Sequence, residues 1–291
     1  MVMYHERMKL RKDAYSKKLD NVTSRCYFAN GFATRIKNIV SCHRIANNVQ
    51  VYWDANCKPF YYKKLNEYFP DLVETDEYVS KTWRQGWRLA TFPGEIGEGF
   101  SNKDAIFEEF DSPIVIPSHG KGRCIDYEYH RIPQPIIDDY LKIFSELRIK
   151  DSFLETADKF AKENFNSETV SVHIRNWVDF APRGKMHTLS PFIDLMAEHP
   201  TSKFFVSTDS PNNIKILKET FGDDRIISYC GTDPSFDVFI DLLLLSKNRN
   251  LIGSVMSTFS EVAWWLGGAT AKVKIAYGPK TMKYMYPKHH I

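Results

Sequence analysis

The chain has 291 residues, 43% hydrophobic and 26% charged, with 39 basic against 36 acidic side chains for a net charge of +3. That is ordinary globular composition, and the length exceeds what one core usually supports, so about two domains are expected. The charge balance lacks the clustered basic excess of a nucleic-acid binder, no apolar run reaches the roughly 18 residues of a membrane span, and the polar, basic first twelve residues carry no signal-peptide core, so a cytoplasmic protein is predicted.

Residues 25–53 read as strand, helix, strand: Cys26 to Phe28, then a turn at Asn30–Gly31, a helix over 34–47, and a strand over Val49–Trp53. Strands split by a helix predict a parallel sheet. Residues 54–133 are less regular and rich in Tyr, Trp, Gly and Pro; Thr82–Arg88 reads as a loop, either an acceptor surface or a locally packed aromatic turn, and 114–116 as a strand. Two amphipathic helices, 135–148 and 151–164, bridge to a second α/β region. There, strands are predicted at 170–174, 203–207, 225–228, 251–253 and 272–276, with helices from Ser190, over 211–221, 236–247 and 259–267. The domains expected are 1–150 and 151–291, the final residues returning to the first. Five cysteines without C-x-x-C spacing predict free thiols.

Ligands of doubly wound sheets sit at the carboxyl ends of the strands, and four sequence features fall at such ends. His173-Ile174-Arg175 leaves the 170–174 strand. A guanidinium there matches a diphosphate in charge and shape, or else forms a surface salt bridge. Ser207-Thr208-Asp209-Ser210 follows the next strand and either contacts a base or ribose or caps the 211–221 helix. The hydroxyl-rich stretch from Ser254 to Glu261, with Ser257, Thr258, Phe259 and Ser260, opens a helix whose N-terminus attracts phosphate, or simply caps it. Gly31, in Asn30–Arg35, allows close backbone approach, or makes an ordinary turn. No D-x-D pair is present to bridge a divalent ion to a diphosphate, and no P-loop or dinucleotide fingerprint occurs.

In order and spacing these blocks resemble the fucosyltransferase superfamily, which includes core α-1,6-, nodulation, α-1,2- and protein O-fucosyltransferases. The matches are Asn30–Ile36, Val172–Arg175, Phe205–Asp209 and Asp241–Ser260. The resemblance implies a GT-B fold, two Rossmann-like doubly wound domains facing across a cleft. It further implies GDP-fucose as donor, a glycan or other hydroxyl acceptor, inversion at the anomeric carbon and no metal or other cofactor. Carried onto this chain, Arg175 resembles the arginine that binds the β-phosphate. Gly31, Arg35, His173, Asp209, Ser257, Thr258, Phe259 and Ser260 fall at positions similar to donor-contacting ones.

One departure stands out: where the family pattern has a second arginine, this chain has Asn176, followed by Trp177. Asp179 is the expected general base, with Glu95 or Glu98 as alternatives, and Arg183 and Lys185 add positive potential. Two other readings stay open: a transferase using another nucleotide sugar, and a binding protein or pseudoenzyme on the same scaffold.

Overall fold

A computed structural model describes residues 19–26, 31–56, 61–76, 114–117, 129, 134–176, 188–254 and 257–276. The chain divides into two compact units. Met1–Ile125, His130–Asp151 and Pro234–Phe236 make up the first, and Asp126–Tyr129, Ser152–Asp233 and Asp237–Ile291 the second.

The first unit contains β1 (Leu19–Cys26), α1 (Phe32–Ile45), β2 (Ala46–Trp53), the short α2 (Leu65–Tyr68), β3 (Val73–Glu74), β4 (Ile114–Pro117) and α3 (Gln134–Glu146). Its strands lie in the order β3-β2-β1-β4, every pair parallel. The sequence reading begins the first strand at Cys26; β1 starts upstream at Leu19, and Tyr27 and Phe28 lie outside the described residues. β1 reads as polar, yet Val22, Ser24 and Cys26 are buried. Ser24 is tolerated there because Asn38 of α1 donates to its hydroxyl at 2.7 Å, satisfying a polar group that would otherwise be costly to bury. β1 pairs with β2 on one side and β4 on the other, so the sheet supplies an order that its own sequence does not announce. The first helix spans 32–45 rather than 34–47, and Ala46 turns directly from helix into strand with extended backbone angles.

The second unit opens on α4 (Asp151–Asn164) and continues through β5 (Val170–Ile174), α5 (Ser190–Ala197), β6 (Phe204–Thr208), α6 (Pro211–Phe221), a 3₁₀ turn (Asp223–Arg225), β7 (Ile226–Ile227), α7 (Pro234–Leu245), β8 (Asn250–Ser254), α8 (Thr258–Leu266) and β9 (Lys272–Ala276). All pairs are again parallel, in the order β7-β6-β5-β8-β9. Every residue of β5 is buried, as expected for a central parallel strand covered on both faces. Val170, Val172 and Ile174 pack with Phe192 and Met196 of α5, Phe204 and Val206 of β6, and Leu217 of α6. Gly222 ends α6 at φ 97°, a left-handed conformation that favours glycine.

The strand order reverses between β5 and β8: from β5 the chain builds outward to β6 and β7, then returns to add β8 and β9 on the other side. Such a switch point leaves a crevice at the carboxyl ends of the two central strands. Among the described residues, no helix is long and apolar enough to cross a membrane.

Candidate functional site

The β5–β8 switch point gathers most of the candidate residues. His173 and Arg175 leave β5, Asp209 follows β6, and Ser257 to Ser260 begin α8 immediately after β8. Ser254 ties the two central strands together at this end. Its hydroxyl donates to the His173 carbonyl at 2.8 Å and accepts from the Arg175 N–H at 2.8 Å.

His173 is buried, and its ring stacks on Phe259 at 4.8 Å between centroids. Its Nδ1 lies 2.8 Å from Ser260 Oγ and 3.4 Å from Ser257 Oγ. Ser260 Oγ already accepts from the Ser254 N–H at 3.1 Å, so its own proton is available for Nδ1. The Ser260 hydroxyl can donate to Nδ1 or accept from it, according to which ring nitrogen carries the proton. Burial, reinforced by the nearby Arg175 charge, lowers the His173 pKa to about 3. The imidazole is therefore neutral at physiological pH, a hydrogen-bonding group rather than a cation.

Gly253 makes this packing feasible. A Cβ there would lie 3.0 Å from Ser260 Cβ and Oγ and 3.1 Å from Ile275 Cδ1. Ser257 occupies the N-cap of α8 but makes no side-chain cap bond. Its hydroxyl faces His173 instead, so the capping alternative does not account for it.

Arg175 is partly exposed, with 28% of its side chain accessible, and its Nη1 donates to Asp209 Oδ2 at 2.5 Å. The salt-bridge alternative is thus realised, with a partner at the strand-end crevice. The other Asp209 oxygen accepts from the Asn176 N–H at 2.9 Å. Ser210, the N-cap of α6, makes no side-chain cap bond, and both Asp209 oxygens face the exit of β5 rather than the helix. The Asn176 side chain donates to Asn213 Oδ1 at 3.2 Å, and Asn213 donates to Thr208 Oγ1 at 2.9 Å. Where a second guanidinium was expected, a neutral amide joins the ends of β5 and β6.

Asp241 of α7 opens the last of the matching sequence blocks, and the sequence assigns it no role of its own. Ser207 at the end of β6 donates to its Oδ2 at 2.8 Å, while its buried Oδ1 has no hydrogen-bond partner among the described residues. Burial, with Asp237 adding repulsion, raises its pKa to about 7. A carboxyl with one unmet oxygen can pair with a donor edge of a ligand when ionised, or donate when protonated. Its sequence signal is one acid inside the apolar run Phe239–Leu245.

Two expected donor residues lie in the first unit, and they differ in kind. Gly31 precedes α1 with open space where a Cβ would stand. Arg35 is wholly buried: its Nη1 donates to the Asp54 carbonyl at 2.7 Å and the Cys26 carbonyl at 3.3 Å, and its guanidinium lies over Trp53 and Tyr62. These are the contacts of a strut joining the ends of β1 and β2. Asp179, Glu95, Glu98, Arg183 and Lys185, like the loop at 82–88, lie outside the described residues. Among the described residues no group of three or more His, Cys, Asp or Glu side chains is placed to hold a metal ion, and Cys26, Cys42 and Cys230 are free thiols.

The architecture belongs to the α/β class with parallel sheets, and fucosyltransferases are among the solved structures that resemble it. Fucosyltransferase NodZ from Bradyrhizobium superposes with a TM-score of 0.55 at 15% identity, over 85% of this chain and 93% of that one. NodZ alpha-1,6-fucosyltransferase soaked with GDP-fucose gives 0.54 at 16% identity, over 86% and 93%. POFUT1 in complex with GDP gives 0.53 at 13% identity, over 88% and 98%. No protein-family model matches the chain, and no curated protein matches it by sequence. At these identities the likeness establishes a shared fold.

Proposed function

We propose that this chain is an inverting glycosyltransferase that moves fucose from GDP-fucose to a hydroxyl acceptor without a metal ion. The observation that carries the reading is Arg175, a partly exposed guanidinium at the exit of β5, whose backbone N–H is held by Ser254 at the end of β8. The solved structures of similar fold include NodZ soaked with GDP-fucose and POFUT1 with GDP, which favours a GDP-sugar as the donor. On this reading the two units are the two domains of a GT-B transferase, the first on the acceptor side and the second holding the nucleotide sugar.

In the proposed step, the acceptor oxygen forms a bond to the anomeric carbon as the bond from that carbon to the β-phosphate oxygen breaks. The acceptor proton passes to a general base, assigned to Asp179, and GDP leaves carrying the electron pair. Arg175 neutralises the charge that builds on the departing phosphate. His173 stays a neutral imidazole, kept from becoming a competing cation by its burial and by the neighbouring Arg175 charge. The reading needs no D-x-D pair, and the sequence has none.

Calorimetric titration with GDP and with UDP tests the donor class, and turnover of GDP-fucose, as transfer or slow hydrolysis, tests the chemistry. GDP binding lost in R175A and no response to UDP are expected; preference for UDP would replace the donor. One observation favours a second reading. Asn176 commits its amide to Asn213 in place of a second cation, which suits a pseudoenzyme that binds GDP without turning over the sugar. Binding without hydrolysis or transfer would select it.

A further inference from the structure

We propose that Asp209 is the positioning residue for Arg175 and competes with the donor diphosphate for its guanidinium. This rests on the phosphate-binding role read for Arg175 above, and it replaces the expected role of Asp209 as a direct donor contact. One carboxylate brackets consecutive residues, taking the Arg175 guanidinium on Oδ2 and the Asn176 N–H on Oδ1. Both oxygens are thereby engaged with the exit of β5.

The bracket is built rather than incidental. Behind it, Thr208 Oγ1 accepts from both the Ser210 N–H at 3.2 Å and Asn213 Nδ2, and Asn213 in turn accepts from Asn176. Asn213 is only 3% exposed, so this chain of bonds fixes the β6 exit against the β5 exit from inside. Asn176, the departure from the family pattern, is part of that brace.

The ion pair itself is half open, with 28% of the arginine and 19% of the aspartate side chain accessible. An entering phosphate can therefore exchange for the carboxylate without unpacking the core. Asp209 then has two opposed effects: it pre-orients the guanidinium for the transition state, and it lowers ground-state affinity by occupying the same group.

A direct donor contact and a positioning residue part ways in the split between binding and turnover. GDP affinity by calorimetry and GDP-fucose turnover would be measured for wild type, R175A, D209N and D209E. D209N should bind GDP about two- to fivefold tighter, the scale of a partly exposed ion pair, with a steeper loss of affinity as salt rises. Its kcat should fall about tenfold or more because the guanidinium loses its orientation. D209E, which returns the charge, should return GDP affinity to the wild-type value. If D209N proves insoluble, D209S keeps an acceptor for the Asn176 N–H and carries the same expectation. Weaker GDP binding in D209N, matching R175A, would overturn the proposal in favour of a direct contact. Unchanged binding and unchanged kcat would overturn it outright. Wild type that fails to bind GDP at all would instead remove the reading of Arg175 on which this depends.

Discussion

Arg35 and Arg175 follow the first strand of their respective parallel sheets, and the two sheets share a strand order that builds outward and then reverses. The family resemblance implies a donor contact for both, with Arg175 at the β-phosphate. The structure treats them differently. Arg35 is fully buried among aromatic rings and donates to two strand-end carbonyls, whereas Arg175 is partly open to solvent and held by a carboxylate that an anion can displace. On the proposed reading, a guanidinium at a strand end can serve as a phosphate ligand only where its partners are exchangeable. Carbonyls inside a core are not, because leaving them unpaired costs their desolvation.

The sharpest way to break this contrast is at Arg175. R175A should lower GDP-fucose turnover about 10²–10³-fold with little change in melting temperature, and R175K should recover little because an ammonium lacks the planar fork. R175A with full turnover would reduce Arg175 to a surface ion pair. At Arg35 the opposite pattern is expected: R35A should lose about 2–4 kcal/mol of stability by urea denaturation, from unpaired carbonyls and lost ring contacts. A stable R35A that no longer binds GDP would make the two arginines alike after all.

G253A probes the packing that holds His173. The added methyl meets Ser260 at 3.0 Å, on a helix that cannot yield locally, so a loss of about 1–3 kcal/mol is expected in the same assay. Wild-type stability would mean that β8 and α8 are looser here than the contact distances imply.

A pH slope in stability is also expected. Asp241 keeps its proton up to about pH 7 in the folded protein, while an unfolded aspartate ionises near 4. The folded state binds the extra proton between those limits, so this contribution to stability is complete below about pH 4 and is lost as pH rises through about 7. His173 has the opposite sign. Its folded pKa of about 3 lies below the unfolded value of about 6.5, so its contribution is present above about pH 6.5 and is lost as pH falls toward 3. D241N should flatten the decline of melting temperature between pH 5 and 8. An undiminished decline in D241N would show that Asp241 is not its source.

The sequence by itself determined the alternation of strand and helix in the second unit, because β5, β6 and β8 are apolar runs closed by hydroxyl, amide or charged residues. It also placed His173, Arg175, Asp209 and Ser257–Ser260 at strand ends, since chain order alone puts them there. It did not extend the first strand back to Leu19, where the buried Ser24 is acceptable only with Asn38 opposite it. Nor did it find the unmet carboxyl oxygen of Asp241. Only the tertiary structure decided what each polar side chain faces: Arg35 toward carbonyls, Asp209 toward Arg175, Ser257 toward His173. Periodicity records which residues are apolar and where strands end, whereas a polar group's role depends on partners brought from distant positions in the chain.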